Sequence, residues 1–274
     1  MKQKSSLSPF MRDELACFYR RADGYSDRQN AHTEASYSEY IDFIRRFVQP
    51  NSLILDLGCA TGISSSLLAR EGYRVTGADI SDASMRRAKE KRLAGLNFTC
   101  ADILRLPFKD ETFDCVALFL VIEHIPDIPE LLEEMVRLIK PQGRVIILSP
   151  NLLSPFNALL PLWDSLRGKR ANFLFGVESF WGIIRISVRN ALALLRKKFS
   201  LSPSFHYRVP VLENRFDFIA DNDAVYLSCP IDLKRYFENK DNMKIINYQG
   251  YGKIGRVLPD FSTGIHFAAE KIAR

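Results

Sequence analysis

Cysteines are few in this sequence, and none is paired by spacing. Cys17, Cys59, Cys100, Cys115 and Cys229 contain no C-x-x-C step, and their number is odd. Neither a disulfide framework nor a cysteine zinc site is expected, no metal is assigned, and a reducing cytoplasm suits the chain. A long unbroken apolar run is also missing. The uncharged stretch Val145 to Trp163 comes nearest, but Pro150, Pro155 and Pro161 interrupt it. A spanning helix needs about 20 apolar residues without such breaks. The positively charged start, MKQKSSLSPFMRDEL, has no apolar core behind it, so no secretory signal is expected. Acids are scarce in one segment. From Asp164 to Pro210, nine Lys and Arg stand against two acids, a net +7 that leaves −1 for the rest of the chain. The basic character is local, and a local partner follows from it.

What is present suits a folded α/β chain. Of 274 residues, 47% are hydrophobic, enough for one large domain or one and a half at roughly 100–200 residues each. Apolar spacing predicts helices over 8–21 and 37–48. Beyond them, short apolar runs alternate with helical patterns. Strands are expected at Leu53–Leu57, Arg74–Ala78, Asn97–Ala101, Cys115–Leu118 and Arg144–Leu148, the last after a Pro141–Gly143 turn. Helices are expected at Ile63–Arg70, Ala83–Leu93 and Pro129–Ile139. The rhythm breaks after Pro150 for about seventy residues and resumes with a helix at Ile231–Glu238 and strands at Lys244–Tyr248 and Gly264–Lys271. This alternation means βαβ units. The expected fold class is α/β, a doubly wound, Rossmann-like, seven-stranded and mostly parallel sheet with an inserted helical substrate or lid region. Ligands of such sheets lie beyond the carboxyl ends of the strands.

The first such end reads LILDLGCATG, residues 53–62. Gly58 can take a strained turn and lets backbone approach a ligand; Gly62 lets the next helix start close by. That loop does not fit the dinucleotide pattern G-x-G-x-x-G. Asp56 would repel a pyrophosphate but suits an ammonium group, which favours an amino-acid-bearing nucleoside. Asp79 ends the next strand, where a carboxylate can accept hydrogen bonds from both ribose hydroxyls or can cap the helix that begins near Ser81. Asp102 ends the third strand and can accept from an adenine amino group, with apolar Ile80 and Ile103 beside the ring. The three acids are spaced by 23 residues each time.

LDLGCATG, GADIS, ADILRLPFKDETFDCV, LVIEHIPD and IKPQGRVIILSPN, taken in order, resemble the motifs of class I S-adenosylmethionine-dependent methyltransferases, the large group that includes quinone-biosynthesis and other small-molecule enzymes. The resemblance covers roughly 37–150, with weaker echoes at 223–271. It implies S-adenosyl-L-methionine as cofactor, with Asp56, Gly58, Cys59, Ala60 and Gly62 about the methionine end. By the same token Asp79 takes the ribose, Asp102 with Ile103 takes the adenine, and Phe119 lines the methionine and sulfonium; Ile80 is counted with Ile103 among the cofactor-binding residues. Ala60 stands where that family usually has glycine.

His124, in VIEHIPD, is the candidate general base, since an imidazole pKa lies near working pH; bracing of the loop is its structural alternative. Glu123, His206, Tyr207 and His266 are weaker candidates. Residues 1–36 are expected to form an N-terminal helical lid, and Tyr25 and Tyr37, in the aromatic and polar stretch 20–40, are expected to approach the site. Residues 37–150 are expected to be the cofactor core, 151–222 an inserted basic recognition or lid segment, and 223–274 the elements completing the sheet. Within the insert, FWGIIRISVRNALALLRKK, residues 180–198, has a basic amphipathic pattern. Arg185, Arg189 and Arg196 cluster, and Phe180, Ile184, Ile186, Leu192 and Leu195 supply apolar surface. It suits a lid, an anionic membrane surface or a phosphorylated substrate. The expected activity is methyl transfer to a small-molecule acceptor, lipid-linked or a glycan precursor, by a cytoplasmic chain with room for a peripheral place on the inner face of the membrane. RNA or protein methylation through the basic insert, and a non-enzymatic cofactor-fold module, are the rival readings. No recognised nucleic-acid module accompanies the basic residues, and the sequence assigns no oligomeric state.

Overall fold

The computed structural model describes residues 9–21, 33–168, 179–212 and 222–273. Seven strands form one sheet: β1 Leu53–Leu57, β2 Arg74–Asp79, β3 Leu96–Cys100, β4 Phe113–Phe119, β5 Ile139–Pro150, β6 Met243–Gln249 and β7 Gly264–Lys271, in spatial order β3-β2-β1-β4-β5-β7-β6. The first five pair in parallel, and β7 runs antiparallel to both its neighbours. The described helices are α1 Pro9–Arg21, α2 Ser38–Phe47, α3 Ile63–Arg70, α4 Asp82–Ala88, α5 Ile128–Leu138, α6 Pro155–Leu166, α7 Phe180–Lys198, α8 Pro230–Glu238 and α9 Gly252–Val257.

The central strands are apolar on both faces because both faces are covered. Leu55, Leu57, Val116, Leu118, Val145 and Ile147 enter one core, with α5 and α8. Their alternating neighbours Ile54, Cys115, Ala117, Ile146 and Leu148 enter the other, with Tyr40, Ile41, Phe43 and Ile44 of α2. The strand order reverses between β1 and β4, and there a doubly wound sheet opens a crevice at its carboxyl edge.

Several boundaries differ from the sequence reading. The helix expected over Ala83–Leu93 stops at Ala88, where the i→i+4 ladder gives way to a turn-type bond from Lys91 N to the Ala88 carbonyl. The expected Pro141–Gly143 turn is absorbed into β5, which begins at Ile139 with Gln142 at φ 65°. α6 and α9 had no matching expectation. α7 has the bounds its pattern predicts, but its faces are sorted differently: Ile183, Ile186, Asn190, Leu194 and Lys197 are buried, so Ile186 belongs to the inner face. That face is anchored deeply. Lys197 Nζ donates to both oxygens of Asp232 in α8 at 2.7 Å, and Tyr226 Oη and Ser204 N donate to the same carboxylate. No helix among the described residues is long and apolar enough to cross a membrane.

Candidate active site

The turn after β1 is built from backbone that only small residues tolerate. Gly58 has φ 65° and Gly62 has φ 76°. A Cβ on Gly58 would sit 2.5 Å from a Val121 methyl, and one on Gly62 2.6 Å from the Phe98 ring. Gly58 N donates to the Ala78 carbonyl at 2.7 Å, tying the turn to β2. Ala60 also lies in the left-handed region, at φ 46°, a conformation that usually selects glycine. Its amide donates to Asp79 Oδ2 at 2.9 Å.

The three strand-end acids face one cavity of about 590 Å³. Asp56, Gly58, Cys59, Ala60, Asp79, Ile80, Asp102, Ile103, Phe119 and His124 all line it; Gly62 does not, and serves as the residue from which α3 starts. Asp56 is fully buried and held by three hydroxyls: Tyr40 donates to Oδ1 at 2.8 Å, and Ser64 and Ser65 donate to Oδ2 at 2.7 and 2.6 Å. Burial pushes its carboxyl pKa above the ordinary range, and the hydroxyls hold the rise back. Burial raises the Asp79 pKa as well, opposed by the amides of Ser81 and Ala60. Asp79 is not the cap of the following helix, because the Ser81 hydroxyl takes that place and accepts from Ser84 N. Asp102 lies two residues past the end of β3 and accepts from Leu104 N at 3.0 Å. Phe119 stacks on Tyr40 with ring centroids 5.2 Å apart and meets Tyr37 at 5.5 Å. Burial, with the charge of Asp56 behind it, pushes the Tyr37 phenol up to about 12, so it stays a donor at the cavity wall.

α1 forms the opposite wall through Arg12, Asp13, Leu15, Ala16 and Tyr19. Arg12 pairs with Asp127 at 3.0 Å. Tyr19 Oη donates to Asp223 Oδ2 at 2.8 Å and lies 3.0 Å from His124 Nδ1, itself 3.3 Å from Asp223. With Tyr19 donating to Asp223, Nδ1 of His124 is placed to donate to the phenol oxygen, and Nε2 lies 3.8 Å from Glu123 Oε1. Glu123 is turned inward, accepts from Ser149 Oγ at 3.0 Å, and holds the 222–226 segment by accepting Val225 N and Tyr226 N on its carbonyl.

The weaker candidates lie elsewhere. The ring of His206 is bound to the Ser204 carbonyl, Tyr207 Oη accepts from Ile128 N, and His266 packs against Phe43 and Tyr251 with its Nε2 3.1 Å from Glu39. None of the three lines the cavity. Burial takes the His266 imidazole down to about 4. Tyr25 lies outside the described residues. Sequence reasoning missed Tyr19, Asp223, Ser64, Ser65 and the hydroxyl of Tyr40. The serine run that opens α3 was the one visible signal, since a buried helix face with consecutive hydroxyls needs an acceptor.

Comparison with known proteins bears on the domain and the fold. Residues 55–147 match a family model described as a methyltransferase domain. A demethylmenaquinone methyltransferase of Streptomyces griseus is 39% identical over 99 residues, covering 36% of this chain and 43% of the relative. A ubiquinone biosynthesis O-methyltransferase of Coxiella burnetii is 34% identical over 101 residues, with the same two shares, 36% and 43%. The chain thus spans less than half the length of these curated relatives. Among solved structures, an S-adenosylmethionine-dependent methyltransferase from Mesorhizobium loti superposes with a TM-score of 0.54 over 87% of this chain and all of that one, at 14% identity, a likeness of fold. The matched stretch runs from within the first strand to the fifth and carries all three acids. Residues 55–147 thus match a methyltransferase domain, and the sheet that carries them has the fold of S-adenosylmethionine-dependent methyltransferases.

Proposed function

We propose that this chain transfers a methyl group from S-adenosylmethionine to a small-molecule acceptor, lipid-linked or a glycan precursor, at the cavity beneath α1. The observation that carries the reading is the set of three acids, Asp56, Asp79 and Asp102, at the carboxyl edge of three neighbouring parallel strands and facing one 590 Å³ space. The donor chemistry fits. The ligand presents an ammonium group, two ribose hydroxyls and an adenine amine, all hydrogen-bond donors, and the wall presents carboxylates. Asp56 and the Gly58 turn receive the methionine end, Asp79 the ribose, and Asp102 with Ile103 the adenine. The cofactor supplies a methyl group already activated on a sulfonium.

The protein's task is then alignment and dryness. Phe119 and Tyr37, with Tyr40 stacked behind Phe119, give the sulfonium side an aromatic wall, and α1 closes it from water. Holding two reactants in line supplies roughly 7–11 kcal/mol of a barrier in favourable cases. His124 Nε2 takes the acceptor proton where an O–H or N–H is methylated, while Tyr19 and Asp223 hold Nδ1 and thereby fix the tautomer. Segment 222–226 joins this group to the insert. Asp223 meets His124, and Ala224, the next residue, packs among Ile183 and Ile186 of α7. Specificity for the acceptor accordingly resides in the 151–222 region.

The test is formation of S-adenosylhomocysteine by the full chain against separate pools of membrane lipid, glycan precursor and RNA. Product with the lipid or glycan pool alone supports the reading. Product with RNA alone, or no binding of S-adenosylhomocysteine by calorimetry, overturns it.

A further inference from the structure

We infer that the outer face of α7 is a docking surface for an anionic phospholipid bilayer. The inference rests on the lipid-linked reading above for what the acceptor is, and its test reads binding rather than methyl transfer.

The placement of side chains around this helix carries it. With 3.6 residues per turn, Trp181, Val188, Leu192, Leu195 and Phe199 fall within a stripe about 60° wide, directly opposite the buried face. All five are exposed, Trp181 at 78% and Phe199 at 86%. Arg185, Arg189 and Arg196 flank that stripe on one side, within roughly the next 60° of arc. Apolar groups and arginines therefore share the outward face, which a helix in a water-facing position does not require. The helix contains no acid. Among the described residues, no ion pair engages Arg185, Arg189 or Arg196. α6, packed along α7, adds exposed Trp163 and Leu166, with the Arg167 guanidinium 4.6 Å above the Trp163 ring.

The chemistry selects the occupant. Indole, phenyl and leucyl groups enter the headgroup boundary, while guanidinium groups meet lipid phosphates. A second copy of this chain would bring its own arginines against these, and like charges across an interface oppose association. The buried Lys197–Asp232 pair and the packing of Ile183, Ile186 and Leu194 hold the inner side of α7 to the fold, so the outer stripe is presented by a fixed element. Because Ala224 packs under α7 and Asp223 touches His124, the docked helix stands behind the wall of the acceptor cavity.

The experiment is co-sedimentation of the full chain with vesicles of phosphatidylcholine and phosphatidylglycerol, about two to one, and with phosphatidylcholine alone. The expected result is pelleting with the anionic vesicles at low salt, weakening as salt shortens the reach of charge, and little with the neutral ones. R185Q/R189Q/R196Q should lower the partition coefficient on the order of a hundredfold, about fivefold per arginine. W181S/L192S/F199S should abolish pelleting. With Trp163→Phe in place, the emission of Trp181 should shift to the blue on vesicle addition. Both triple variants should melt like the parent and bind S-adenosylhomocysteine with unchanged affinity. Failure of the parent to pellet at low salt, pelleting by either triple variant at the parent's level, or concentration-dependent self-association removed by W181S/L192S/F199S without vesicle binding would each overturn the docking surface. Vesicle binding without any affinity for S-adenosylhomocysteine would leave docking intact and remove the methyltransfer reading instead.

Discussion

Asp79 serves two partners at once. Its carboxylate receives the amides of Ala60 and Ser81, which shapes the turn, and retains lone pairs toward the cavity. Asp79→Asn keeps one acceptor oxygen and loses the charge. Hydrogen bonds to a charged group contribute about 1.5–3 kcal/mol, so its affinity for S-adenosylhomocysteine should fall roughly ten- to a hundredfold in calorimetry; unchanged affinity would refute the ribose assignment. The pH dependence has a definite sign. Asp56 and Asp79 both ionise at a higher pH than exposed carboxyls, so parent affinity should decline on acidification before an exposed carboxylate would respond. Apo stability moves the other way. A raised carboxyl pKa contributes stability that is complete below the unfolded value and is lost as pH rises through the folded one. Relative to Asp79→Asn, the parent apo chain should therefore melt higher as the pH is lowered through that window. Ala60 gives a second test. Its left-handed φ costs about 1–2 kcal/mol for an L-residue, against roughly 0.5–1 kcal/mol of chain entropy for glycine. Ala60→Gly should be neutral or slightly stabilising by thermal melt, and a large loss would contradict the strain. These acids could be found in the sequence because each ends an apolar run. Their donors could not: Tyr40 sits in a helix whose period reads as plain core, and its hydroxyl is indistinguishable there from the ring that carries it.

At the level of elements, the strands and the α5 and α7 patterns were legible because period and length agree with burial. β1, α3, α7 and β7 have the bounds their sequences suggest. α7 also shows where pattern reading stops. Periodicity reveals that a helix is amphipathic, but which charged residue turns inward depends on a distant acid. Lys197 is read as one more surface cation until Asp232, in α8, is placed beside it. Removing one member of a buried pair typically costs about 3–5 kcal/mol, because the other is left uncompensated. Lys197→Met should lower stability by that order in a denaturant melt, and Lys197→Met with Asp232→Leu should recover much of it. A loss under about 1 kcal/mol for the single variant would mean that α7 is not anchored by this pair.

Across the whole molecule, α1 and the 222–226 segment come from opposite ends of the chain and meet at His124. No sequence signal announces that meeting. Tyr19 and Asp223 lie 204 residues apart, and the contact exists because the sheet brings the loop after β4 between them. α1 lies along the cavity wall, contacts α4, and is tied by the Arg12–Asp127 pair and Tyr19, and a part-exposed pair such as the first contributes at most about 1 kcal/mol. We propose that α1 opens and closes over the cofactor. S-adenosylhomocysteine should then protect the 9–21 region from limited proteolysis, and Tyr19→Ala should weaken that protection; cleavage unaffected by the ligand would exclude the closing motion.

The most direct test is a crystal structure of the full chain with S-adenosylhomocysteine. The account predicts density in the cavity beneath α1, with the ribose hydroxyls on Asp79, the adenine beside Asp102 and Ile103, and the amino-acid end against Asp56 and the Gly58 turn. A ligand bound away from these three strand ends, or lying in the cavity with none of its donors on the three carboxylates, would contradict it.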